Sequence, residues 1–280
     1  MHDIGDGPSF PADFSTADDL LWQARADRLR DHGRIRIKRS GLVGPLVEMT
    51  FARRALPDAY SLVHFEPALV PQIDQALEDG AISGAADKDI AGIFPLSQHD
   101  PDGPDQSLWE QWAKHAENAA VANGIERGLA QGLVGAIIEL QMNVYNHSGS
   151  AESGLIAYGV RPGSLEFVVA DAGRGVLASL RENPEFSGLT DHGEALRVAM
   201  SDGASRFGRT TGRGYGISQL FRALARDYGE LRFSSGDHTL TLWGDGPSLT
   251  GQFKIAHKAH LAGFCVSVSV QAPNRSTGGR

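Results

Sequence analysis

The sequence predicts an α+β sandwich, and three observations carry that reading. Two stretches with helical spacing, Leu108 to Ala122 and Ile125 to Asn146, come before a series of short strand-like runs instead of alternating with them. Few β-α-β alternations occur, which argues against a doubly wound parallel sheet. Hydrophobic residues make up 41% of the 280, enough for a packed core and too many for a disordered chain.

The elements follow in chain order. Residues 1–20 are polar and rich in Gly, Pro and Asp, and read as a loose N-terminus. Leu20 to Leu29 has helical spacing, and Arg34 to Lys38 alternates like a strand. Val47 to Phe51 and Ser61 to Phe65 are further strand candidates, and Val70 to Leu77 is a short helix. These pieces make residues 1–105 a small α/β region of unknown role. The turn-forming run from Ser97 to Asp105 is the best linker.

After the two helical stretches come strands at Leu155 to Val160 and Leu165 to Ala170, joined by the turn Arg161-Pro-Gly-Ser164. Helical patches lie at Val176 to Glu182 and Gly193 to Ser201, and a glycine loop opens a helix over Gly216 to Tyr228. Leu231 to Ser234, Thr239 to Trp243 and Phe264 to Val270 close the domain as strands. This bounds a domain at residues 106–272, with 273–280 as a disordered tail.

Charge and cysteine content limit the possible functions. The formal net charge of -8 gives no bulk attraction to nucleic acid or to an anionic membrane. A polyanion must therefore be held by backbone amides, a metal ion or a few placed cations. The lone Cys265 lies in an apolar run and reads as a small buried hydrophobe; a single cysteine fits a reducing, cytoplasmic setting. The first residues are acidic and lack the apolar segment of a signal peptide. No stretch reaches the roughly 18–20 apolar residues of a membrane span.

Three motifs carry candidate chemistry. In Glu139-Leu-Gln-Met-Asn143-Val-Tyr-Asn-His147, steps of four place Glu139, Asn143 and His147 on one helical face. Asn is a weak helix former, and an amide oxygen suits Mg²⁺. Taken alone, the row reads first as a solvated helix face. Asp171-Ala-Gly173-Arg-Gly175 follows the apolar strand, where a strand-end carboxylate can accept from an exocyclic amine and glycines permit close approach. Taken alone it is an ordinary strand-to-loop turn. Thr210-Thr211-Gly212-Arg213-Gly214-Tyr215-Gly216 precedes an amphipathic helix and offers free amides to an anion. It matches neither the dinucleotide fingerprint nor a P-loop.

In order and content these motifs resemble the GHKL superfamily of gyrase, heat-shock chaperone, histidine kinase and MutL ATPases. Glu139-Leu-x-x-Asn143 looks like its N-box, Asp171-x-Gly173-x-Gly175 its G1 box, and Gly212-x-Gly214-x-Gly216 its G2 box. Gly263-Phe-Cys-Val-Ser-Val-Ser-Val270 resembles its closing strand. The resemblance spans roughly residues 108–272. It implies a Bergerat-type two-layer sandwich, with helices on one face of a mixed, mostly antiparallel sheet and ATP between them. It also implies Asn143 as the Mg²⁺ ligand and Asp171 as the acceptor for the adenine amine. Gly173 and Gly175 would line the base and ribose. Thr211, Gly212, Arg213, Gly214, Tyr215 and Gly216 would wrap the phosphates, and His147 would complete the nucleotide site. Residues 176–211 would be the lid, with Arg206, Arg209 and Arg213 at its distal end. Phe264 stands where relatives often carry Thr, and the lid has no lysine.

Glu139 is the catalytic candidate, placed to polarise a water or a hydroxyl. Hydrolysing members and the anti-sigma serine kinases carry Glu at this position. No histidine makes a phosphoacceptor: His99 precedes Asp-Pro, His115 lies in an unlike context and His32 precedes a glycine. The expected function is therefore Mg-dependent ATP binding with slow hydrolysis, used as a switch on a partner or a homodimer. The alternatives are a Ser/Thr kinase acting on a STAS-like partner, or a non-catalytic nucleotide sensor.

Overall fold

The computed structural model describes residues 7–38, 42–84, 90–200, 229–243 and 252–272. Thr211, Gly212, Arg213, Gly214, Tyr215 and Gly216 lie outside the described residues. So do Arg206, Arg209, the helix expected over Gly216 to Tyr228 and the tail from Pro273.

The N-terminal region begins with β1 (Ser9–Pro11), α1 (Phe14–Arg25) and β2 (Ile35–Lys38), and continues with α2 (Gly44–Ala55), β3 (Val63–Phe65) and α3 (Leu69–Asp79). Its strands pair in parallel in the order β1-β2-β3. Two expectations are corrected here. The loose N-terminus is ordered from Ser9: the Asp13 carboxylate accepts from the Thr16 amide at 2.8 Å and caps α1. Val47 to Phe51 is helix, not strand. A short apolar run does not distinguish the two by periodicity, and every residue from Gly44 to Ala52 is buried, as in a helix enclosed on all sides. Its first amides are satisfied from a distance: Glu166 accepts from Val43 N at 2.5 Å and Gly44 N at 2.9 Å.

The larger sheet is antiparallel throughout, in the order β4-β5-β6-β8-β7. It comprises β4 (Ala91–Pro95), β5 (Leu155–Arg161), β6 (Ser164–Asp171), β7 (Glu230–Trp243) and β8 (Gln252–Gln271). Helices α4 (Ser107–Ala122), α5 (Arg127–Asn143), α6 (Gly175–Leu180) and α7 (His192–Ala199) complete the described elements. The α+β sandwich expected from the sequence is present. β4 was not anticipated; it is an edge strand ending in Pro95, where a missing donor is tolerated. The two strands expected between Leu231 and Trp243 are one strand, bent at Gly236 (φ 62°) with register shifts on either side. β8 runs well upstream of the expected Phe264, through Gly263 at φ 84°.

Strand alternation divides the core in two. Leu165, Phe167 and Val169 of β6 face α4 and α5, packing with Trp112, Leu133, Ile137 and Leu140. Val168 and Ala170 face the other way, with Leu155, Ala157 and Cys265, against Leu21, Val47 and Met49 of the N-terminal helices. The N-terminal region is thus a layer on the second face of the sheet. Each large apolar side chain buried there contributes about 1.5–3 kcal/mol that would be lost if that face met water.

An ionic network runs through the second core. Arg232 of β7 reaches Asp18 of α1 at 2.7 Å and Glu48 of α2 at 3.3 Å, and Lys258 of β8 pairs with Glu48. Lys258 and Glu48 are both almost fully enclosed. Burial alone would raise the Glu48 carboxyl, but Arg232 and Lys258 outweigh it and hold it at about 2. Two acids matched by two bases keep the enclosed charge balanced, without which burial would cost several kcal/mol per ion.

Candidate functional site

The first and second motifs meet at one end of the sheet. Asp171 closes β6, and the same alternation that turns Phe167 and Val169 toward α5 turns Asp171 that way. α5 ends at Asn143, and the chain continues as a π-wound turn, Val144–Ser148, before Gly149 reverses it in the left-handed region. Such turns are rare and often accompany function. They also change the spacing. The four-residue row holds from Glu139 to Asn143, but the step on to His147 is not an α-helical one.

Main-chain contacts join this turn to the Asp171 loop. Arg174 N donates to Ser148 O at 2.9 Å, and Arg174 Nε donates to His147 O at 2.7 Å. The His147 Nδ1 lies 3.2 Å from the Ser179 hydroxyl. Arg174 also pairs with Glu182. The loop packs so closely on the turn that a Cβ on Gly173 would sit 2.3 Å from Ser148 O. Gly175, at φ 78°, leaves no more room: a Cβ there would meet Ser235 Oγ at 2.8 Å. Protein contacts thus occupy both glycines of the second motif on these sides.

Asp171 is the most constrained of the candidates, with 1% of its surface exposed. Oδ1 accepts from the Gly173 amide at 2.6 Å, while Oδ2 is buried and has no hydrogen-bond partner among the described residues. Burial pushes the carboxyl up to about 7, against the pull of the Gly173 amide. A buried acceptor without a donor costs roughly 1–3 kcal/mol, so the fold supports this side chain at a loss. Asn143 is half-buried, and Glu139, one turn back, is exposed. Among the described residues no three His, Cys, Asp or Glu side chains are grouped to hold a metal ion.

Sequence reasoning missed the residues that support this loop. Ser153 Oγ accepts from Ala172 N at 3.0 Å. Ser235 Oγ accepts from Val176 N at 3.0 Å and donates to Gly263 O at 2.9 Å. A Cβ on Gly263 would lie 1.9 Å from Asp171 O, so β8 touches the acid's own backbone. Single serines give no periodic signal, and only pairing across the sheet brings them here. A narrow cleft also borders Asp171, Ser235 and Gly263, but its other walls include Glu48 and Phe51 of α2 and Lys258. It therefore opens on the side away from α5.

No known family model and no curated protein matches the chain. No helix among the described residues is long and apolar enough to cross a membrane.

Proposed function

We propose that this chain binds an adenine nucleotide with Mg²⁺ and hydrolyses it slowly, as a switch acting on a partner or on a second copy. One observation carries the reading: a carboxylate oxygen at a strand end, buried, aimed toward the α5 layer and without a hydrogen-bond donor among the described residues. A ring amine is a donor of the right kind, and a hydrogen bond to a charged acceptor contributes about 1.5–3 kcal/mol. The resemblance of the three motifs to GHKL proteins, and the contact between the turn after Asn143 and the Asp171 loop, add support.

The donor set fits the metal in a limited way. Asn143 offers one neutral oxygen, which suits Mg²⁺ when phosphates and waters supply the remaining positions. In this reading Glu139 handles the attacking proton, and its exposure leaves access for either water or a protein hydroxyl. The protein works in the cytoplasm.

Calorimetry with ATP and ADP in the presence of magnesium tests binding; no heat at any nucleotide concentration up to millimolar refutes the proposal. Labelled ATP then separates the chemistry. Free phosphate from the protein alone supports hydrolysis. Label on Ser or Thr of a STAS-like protein supports the kinase alternative. Binding with neither product leaves a nucleotide sensor.

A further inference from the structure

The last carbonyls of a helix have no partner within it. For α5 they belong to its π-wound continuation, Val144–Ser148, and one residue of another element takes two of them. Arg174 donates to Ser148 O from its main-chain amide at 2.9 Å and to His147 O from its side-chain Nε at 2.7 Å. A guanidinium at this end also faces the negative pole of the helix dipole. It lies along Gly149, where an added Cβ would come 3.7 Å from Nε. Its Nη1 pairs with Glu182, beyond the end of α6, so the group is held from two directions.

This tie joins the two ends of the candidate site by a short route. Arg174 stands three residues after Asp171, and His147 stands four residues after Asn143. The loop has holds of its own: Asp171 Oδ1 accepts from the Gly173 amide, and Ser153 and Ser235 take the amides of Ala172 and Val176. The turn is anchored on its other side by Tyr145, whose hydroxyl lies 3.0 and 2.9 Å from the Leu96 and His99 carbonyls. Arg174 is what draws it toward the loop, helped by the contact between His147 and Ser179.

We propose that Arg174 is a positioning residue that couples the two ends: it fixes the Asn143 turn against the Asp171 loop, so that magnesium at Asn143 and the base at Asp171 strengthen each other's binding. For its ligand the proposal rests on the nucleotide-binding reading; the tie itself does not. An arginine that served only through its charge could be replaced by lysine. The tie needs a donor at Nε and another on the same rigid plane, which lysine lacks. A hydrogen bond from a charged donor, taken at the low end of its range because 31% of this side chain is exposed, corresponds to about tenfold in an equilibrium. The coupling is reciprocal: magnesium raises the affinity for nucleotide by the factor by which nucleotide raises the affinity for magnesium.

Arg174→Lys and Arg174→Gln, made in the full chain, test this. Without ligand, hydrogen exchange over residues 143–149 should be about tenfold faster in both variants, while peptides over 155–161 and 164–170 keep the parent's rates. Unchanged exchange at the turn, or parent rates restored by lysine, overturns the tie. An equal rise over β5 and β6 marks a general loss of stability and overturns it as well. Calorimetry then gives affinities for adenosine, for ADP and for ADP with magnesium. Adenosine, which carries neither phosphate nor metal, should bind both variants as well as it binds the parent. The gain in ADP affinity on adding magnesium should be about tenfold smaller in both. Equal losses for all three ligands, no magnesium gain in the parent, or the same gain in the variants overturns the coupling. If none of the three binds the parent, the nucleotide reading fails and takes the coupling with it; exchange still decides whether Arg174 ties the turn to the loop.

Discussion

Replacing Asp171 with asparagine should stabilise the empty protein at pH 8 and leave it little changed at pH 5. The native carboxyl is held at about 7 by burial, against an ordinary 3.8. A raised acid binds its proton more tightly when folded, so folding opposes ionisation and stability falls as pH rises through this window. The penalty is about 4 kcal/mol at pH 8 and about 1.5–2 kcal/mol at pH 5. Asparagine removes it, keeps an oxygen for the Gly173 amide, and leaves a buried NH₂ without an acceptor, which costs about 1–3 kcal/mol at every pH. The net gain is thus roughly 1–3 kcal/mol at pH 8 and near zero at pH 5. The swing of about 2–3 kcal/mol between the two does not depend on the amide term. Urea unfolding of both proteins from pH 5 to 8, followed by circular dichroism, reads it directly. A stability difference constant within about 0.5 kcal/mol across that range would falsify the account of Asp171 as a buried, under-satisfied acid.

Four further outcomes follow from named contacts. ATP affinity in calorimetry should fall about tenfold from pH 8 to pH 6 as Asp171 takes up its proton, and Asp171→Asn should show no such dependence. Glu139→Ala should abolish product in a phosphate-release assay with little change in ATP affinity, whereas Asn143→Ala should weaken binding only when magnesium is present; full turnover in the Glu139 variant removes that residue from the chemistry. Gly263→Ala combines a left-handed φ of 84° with a Cβ only 1.9 Å from Asp171 O, and should lower stability by about 2–4 kcal/mol in urea titrations. Lys258→Met leaves Glu48 buried beside Arg232 alone and should cost about 3–5 kcal/mol. In the parent, the part of stability that comes from Glu48 is present above its ordinary 4.5 and is lost as pH falls toward 2. Acid unfolding of the Lys258 variant should therefore begin at higher pH.

Local signals in the sequence were sufficient for much of the domain. Periodicity located α4, α5, β5 and β6, because each buries one face and its apolar residues repeat with the period of that element. Asp171 was legible as a strand-end acid, since a long apolar run stops at it. What was illegible depended on partners distant in the chain. Val47 to Phe51 has no period of its own, and its helix start is satisfied by Glu166, more than a hundred residues away. Ser235 and Gly263 matter because β7 and β8 pair at the end of β6.

The sequence alone determined the element types with clear periodicity, the α+β class and the positions of the acid, amide and glycine motifs. These follow from a residue's own preferences and those of its near neighbours, which act over one or two turns or a single strand. Only the tertiary structure decided that the N-terminal region covers the second face of the sheet, that the turn after Asn143 rests on the Asp171 loop, and that one oxygen of Asp171 is buried without a donor among the described residues. Burial and hydrogen-bond satisfaction depend on every group that surrounds an atom, and most of those groups come from other parts of the chain.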